Sequence, residues 1–118
     1  MAPRRGVHRR SRRISLRVPV RIYGRTPDDR PFRDVTETLA VSALGARLML
    51  SVPVTPGQPV LLVHGITAEE RQCRVAYVQP TRRGKFNVGL EFAHQRGNFW
   101  QIFEPLRRSK IERKEYVA

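Results

Sequence analysis

Between Ile14 and Phe92 the sequence alternates apolar and polar residues with a period of two, in short runs broken by turn formers. That period places successive side chains on opposite faces of a strand, so the chain is constrained to strands with one buried face. Ile14, Leu16, Val18, Val20 and Ile22 alternate with Ser15, Arg17, Pro19, Arg21 and Tyr23, which predicts a first strand from Ile14 to Tyr23. Pro19 has no N–H for a ladder and belongs at an edge or a bulge. A turn over Gly24–Pro31 leads to a second strand of mixed polarity, residues 32–41, and Ser42-Ala43-Leu44-Gly45 reads as the next turn. Strands are expected at Ala46–Leu50 and Val60–Ile66, with the Pro53–Pro59 loop between them. A fifth spans Arg71–Gln79, with Cys73, Val75 and Tyr77 on one face. Lys85–Phe92 is the sixth, with Phe86, Val88, Leu90 and Phe92 inward. Short strands at this spacing make a small antiparallel barrel or sandwich. After Gly97, Phe99, Ile102, Phe103 and Leu106 recur at helical spacing, with Asn98 as N-cap and Pro105 as a kink. The fold class is therefore all-β with one C-terminal helix over an opening or face.

The 118 residues suffice for one domain. The net charge of +13 is unevenly placed: residues 1–30 carry +8, residues 31–104 only +2, and residues 105–118 +3. All ten cations in the first thirty residues are arginines. The chain divides into an Arg-rich, flexible arm (1–11), a folded domain (12–112) and a tail (113–118). No apolar run approaches the roughly 20 residues of a membrane helix, and no apolar segment follows the basic start as a secretory signal requires. A single cysteine, Cys73, excludes an internal disulfide and points to a reducing, cytoplasmic setting.

Catalytic readings find little support. His8, His64 and His94 stand apart, no second Cys or His lies at metal-ligand spacing, and no nucleophile elbow or phosphate loop is present. The chain is read as a non-enzyme without metal or cofactor, and Cys73 as a core residue. Two clusters remain. Arg12-Arg13 and Arg17 open the first strand. Arg13 and Arg17, four apart in an extended chain, share a face opposite Ile14, Leu16 and Val18. Co-facial guanidinium groups suit an anion that carries planar rings. Ser42-x-x-Gly45, taken alone, is an ordinary turn.

In order and spacing, these elements resemble the PilZ domain family of bacterial cyclic di-GMP receptors. The Arg-x-x-x-Arg element is Arg13 to Arg17, with Arg12 ahead of it. The (Asp/Asn)-x-Ser-x-x-Gly element falls on Ala40 to Gly45, and the Gly-x-x-Phe of the last strand on Gly89 to Phe92. The resemblance covers about residues 9–104. It implies a six-stranded antiparallel β-barrel with a C-terminal helix, cyclic di-GMP bound by Arg12, Arg13, Arg17, Ser42 and Gly45, an arm that orders over the ligand, and an unidentified protein effector downstream. Ala40 departs from the pattern, because its methyl cannot bond a guanine edge; Thr38 and Asn87 are the nearby polar side chains that would compensate. That departure sustains an alternative, a degenerate PilZ-type adaptor acting through protein–protein contacts alone. A general nucleic-acid binder is the third reading, and it is disfavoured because Tyr23 is the only ring near the basic arm.

Overall fold

The computed structural model describes residues 12–94 and 97–101. The arm at 1–11, the greater part of the expected C-terminal helix (from Ile102 onward) and the tail at 113–118 lie outside those residues. Six strands follow the alternation: β1 (Pro19–Arg25), β2 (Pro31–Ser42), β3 (Gly45–Leu50), β4 (Pro59–His64), β5 (Glu70–Pro80) and β6 (Phe86–Phe92). They close into an antiparallel barrel in the order β1-β2-β3-β6-β5-β4, with β4 returning to β1. Closure leaves no strand edge unpaired, and the inward residues fill the interior. Ile22, Leu48, Leu50, Leu62 and Val88 are wholly buried there, and Val20, Cys73, Val75 and Leu90 nearly so. Burial pushes the Cys73 thiol up to about 12, so it stays a protonated, inert core group.

Three one-residue insertions depart from strict alternation. On β2, Thr38 pairs with Leu48 but Ala40 pairs with Arg47, so Leu39 is extra. On β5, Val75 pairs with Leu90 but Tyr77 with Gly89, so Ala76 is extra. Each bulge reverses which residues face the core from that point on. This corrects the expectation that Tyr77 shares the face of Cys73 and Val75: Tyr77 turns outward, and Val78 takes the inward place against the core.

The third insertion corrects the first strand. Val18 pairs with Thr38, and Ile14 bridges Val41, so four steps on one side match three on the other. The continuous ladder therefore starts at Pro19, the first residue of β1, where a missing N–H is tolerated. Across the gap the wholly buried Thr38 hydroxyl replaces the ladder: it accepts the Val18 N–H (2.9 Å) and donates to the Leu16 carbonyl (2.6 Å). The face alternation survives, with Ile14 and Leu16 packed against the core and Arg12, Arg13 and Arg17 exposed.

One end of the interior is filled by the 97–101 segment. Asn98 Oδ1 accepts the Gln101 N–H (3.0 Å), as an N-cap would, and the described residues form a turn. Phe99 and Trp100 are buried and meet edge-to-face at 4.7 Å, with His64 and Phe92 as ring neighbours. His64 Nδ1 accepts the N–H groups of Ile66 (3.1 Å) and Thr67 (3.3 Å). Burial holds its pKa below the usual imidazole value, with the Glu69 carboxylate opposing in part.

Two outcomes are expected. Thr38→Val keeps the shape but strands the Val18 N–H and Leu16 C=O, so urea unfolding should show a loss of about 1–3 kcal/mol. For His64, the folded state binds the proton less readily than the unfolded chain. Its contribution is therefore present at neutral pH and lost as pH falls below about 6.5. His64→Asn, whose Oδ1 can accept the same two N–H groups without titrating, should flatten the acid limb of stability read by Trp100 fluorescence; an unchanged limb would assign it to other groups.

Candidate functional site

Outward residues of four neighbouring strands line up across the barrel wall. Ala40 on β2 faces Arg47 on β3, Arg47 faces Gly89 on β6, and Gly89 faces Tyr77 on β5. The row spans three strand spacings, about 14 Å. Its two ends are the residues that the Leu39 and Ala76 bulges have turned outward. The next row is Ser42, Gly45, Glu91 and Arg74. Both rows border a cleft of about 410 Å³ whose lining includes Arg13, Ala40, Ser42, Gly45, Arg47, Tyr77 and Glu91.

Each side chain has a local cause for its place. The Ile14–Val41 bridge, with two backbone hydrogen bonds of 2.9 Å, carries Arg13 to the cleft. Ser42 Oγ accepts the Leu44 N–H (3.0 Å) and fixes the two-residue turn Ala43-Leu44. The Leu44 carbonyl accepts the Phe92 N–H (2.8 Å), tying that turn to β6. Gly45 is required by a close approach: a Cβ there would lie 1.9 Å from the Leu90 carbonyl oxygen. Gly89 makes room for the Tyr77 ring, since a Cβ would stand 2.2 Å from Tyr77 Cε2.

Of the residues singled out from sequence, Arg13, Ala40, Ser42 and Gly45 meet in this cleft, and Arg12 and Arg17 do not line it. Arg17 instead forms an exposed ion pair with Glu37 at 3.5 Å. Thr38 and Asn87 do not stand in for the missing Asp/Asn. Thr38 faces the interior, where its hydroxyl is used by the backbone, and Asn87 Nδ2 bonds Gln79 Oε1 at 3.0 Å. Sequence reading did not single out Arg47, Tyr77 and Glu91. The signal that could have found Tyr77 was Gly89, a lone glycine inside an apolar strand, which marks close approach of another group.

The cleft thus offers two guanidinium groups, one carboxylate, one phenol ring and a hydroxyl. Among the described residues neither Arg13 nor Arg47 has an ion-pair partner, and no cluster of metal-ligating side chains occurs. A second groove of about 390 Å³, bordered by Tyr23, Leu61, Gln72 and Arg74, lies over β1, β4 and β5. There the Arg21 and Arg33 side chains hydrogen-bond Tyr23 and hold its phenol below the usual pKa.

No family model and no curated protein matches the chain. Among solved structures, it is similar to YcgR of Escherichia coli in complex with c-di-GMP (TM-score 0.58, 17% identity, 93% of this chain and 50% of that one). It is also similar to the Bacillus subtilis inhibitor of motility MotI/DgrA (TM-score 0.56, 18% identity, 75% of this chain and 44% of that one). The fold is PilZ-like. A looser likeness is to the PilZ domain of CeSA from a cellulose-synthesizing bacterium (TM-score 0.45, 20% identity, 81% of this chain and 92% of that one). The chain spans about half the length of the first two proteins, so the match is to a PilZ-like module within larger chains. No helix among the described residues is long and apolar enough to cross a membrane.

The two glycines of the cleft should respond differently to alanine. Gly45→Ala drives a methyl into β6 backbone and is expected to cost about 1–3 kcal/mol in urea unfolding. Gly89→Ala meets the Tyr77 ring first, a side chain that can swing aside, so stability should fall less while Tyr77 leaves its place over β6. Equal losses in both would contradict this reading of the two contacts.

Proposed function

We propose that the chain is a cyclic di-GMP receptor whose Arg-rich N-terminal segment closes over the ligand and relays binding to a protein effector. The observation that carries this reading is the delivery of Arg13, through the Ile14–Val41 bridge, to a cleft that also holds Ser42, Gly45, Arg47 and Tyr77. A ligand with two phosphates and two guanines needs cations, flat surfaces and room. Guanidinium groups pair with phosphate in charge-assisted bonds and stack on purines. The Tyr77 ring, set against Gly89, offers a further flat face. Arg17 joins by a swing of its side chain from Glu37 toward the cleft, the backbone on either side of it staying pinned by the Thr38 hydroxyl. Its exposed pair with Glu37 is a weak restraint, about 0–1 kcal/mol, so releasing it is cheap. Arg12, ahead of the Ile14–Val41 bridge, enters as the N-terminal segment closes over the ligand. The solved complex of YcgR with c-di-GMP, a protein of similar fold, supports the choice of ligand.

A second reading rests on Ala40, whose methyl stands at the floor of the cleft where the motif has Asp or Asn. It makes the chain an adaptor that uses the same fold to bind protein without nucleotide.

Titration calorimetry separates the two. The receptor reading expects micromolar or tighter binding of cyclic di-GMP with no signal from GTP. Arg13→Ala and Arg17→Ala should each lose about 1.5–3 kcal/mol, roughly tenfold to a hundredfold, with the melting temperature unchanged. Full affinity in both variants would sink the proposed site. Silence of the natural chain at about 100 μM ligand, where only affinities weaker than about −5.5 kcal/mol go unseen, would favour the adaptor.

A further inference from the structure

Arg47 has the setting of a recognition residue rather than a surface charge. It projects from the middle of β3, a strand paired on both sides, between the inward neighbours Ala46 and Leu48. It is half-buried, unlike the exposed Arg12, Arg13 and Arg17. Its lateral neighbours in the row are Ala40 and Gly89, the two smallest residues available; Ala40 leaves room on one side of its stem, and the Tyr77 ring lies over Gly89 on the other. Among the described residues its guanidinium makes no hydrogen bond or ion pair. A half-buried arginine on a strand paired on both sides, its guanidinium unpaired among the described residues and its side chain lining a cleft, loses little freedom when it meets a ligand.

The register ties this to Ala40. The two residues are direct cross-strand partners, with Cβ atoms about 5 Å apart. An Asp at position 40 would sit opposite Arg47 and draw it into an ion pair; alanine leaves the guanidinium free. The edge of guanine that a carboxylate reads is the pair of donors at N1 and the 2-amino group. Arg can bond only acceptors, and guanine presents them as O6 and N7, which match the guanidinium fork bidentately. Glu91, the carboxylate of the cleft, lies one row along and two strands from Ala40, about 10 Å or more away.

We infer that Arg47 is the specificity residue of this cleft, taking guanine by its O6/N7 edge in place of the contact that Ala40 cannot make. The inference rests on the cyclic di-GMP reading above and names how the base is recognised.

The test compares three ligands on the natural chain by calorimetry: cyclic di-GMP, the analogue with carbon in place of N7, and the analogue lacking the 2-amino groups. The N7 analogue is expected to bind about tenfold to a hundredfold more weakly than the parent, and the 2-amino analogue about equally well. Arg47→Ala should weaken the parent by the same factor and become indifferent to N7, with its melting temperature showing that the barrel persists. Arg47→Lys keeps the charge without the fork, so it too should lose N7 discrimination. Ala40→Asp should engage Arg47 and remove N7 sensitivity. Equal binding of the parent and N7 analogue by the natural chain would overturn the inference and leave the receptor reading intact. So would an Arg47→Ala variant that loses affinity yet still discriminates N7, because Arg47 would then be serving a phosphate. Failure of the natural chain to bind cyclic di-GMP would overturn the receptor reading, and this inference with it.

Discussion

Side chains on a strand have a period of two, so a single inserted residue exchanges the inner and outer faces of everything beyond it. The barrel uses that constraint at Leu39 and Ala76. Without the first insertion Ala40 would point into the core and Val41 out of it; without the second, Tyr77 would be a core residue. With both, the interior keeps Thr38, Val41, Val75 and Val78, and the outer wall gains a row running from Ala40 through Arg47 and Gly89 to Tyr77. The cleft is a local reversal of patterning in a barrel that otherwise alternates regularly.

The neighbouring turn is set by contacts that leave little slack. Ser42 Oγ holds the Leu44 N–H, Leu44 holds Phe92 through its carbonyl, and Gly45 lies too close to Leu90 for any side chain. Phe92 in turn packs against Phe99 and Trp100. The rim of the cleft and the aromatic plug therefore share a strand end. On the other side, the Thr38 hydroxyl and the Ile14–Val41 bridge anchor the segment that carries the arginines. The wall and residues 12–18 are joined at two points, and among the described residues the one ion pair made by the arginines of that stretch is the weak, exposed Arg17–Glu37 pair.

Much of the fold was legible in the sequence because alternation reports a buried face directly. All six strands occur close to their expected places, and Phe99 and Trp100 are in the core. What alternation cannot report is a bulge, since a shifted register leaves the residue types almost unchanged: Tyr77 follows Cys73 and Val75 in perfect period, yet faces the other way. For the same reason β1 began later than its pattern suggested, with a threonine hydroxyl standing in for the ladder. The site was partly legible. Ser42, Gly45 and Arg13 belong to recognisable motifs, whereas Arg47 and Tyr77 reach the cleft only through lateral pairing of strands distant in sequence.

The most direct measurement is an amide chemical-shift map of the chain titrated with cyclic di-GMP. Binding at the outward row predicts shifts concentrated at residues 40–47, 76–77 and 89–91, extending to residues 12–17. The groove around Tyr23, Leu61 and Gln72 should stay silent. Shifts centred on that second groove, or none at saturating ligand, would contradict the assignment of the cleft as the nucleotide site.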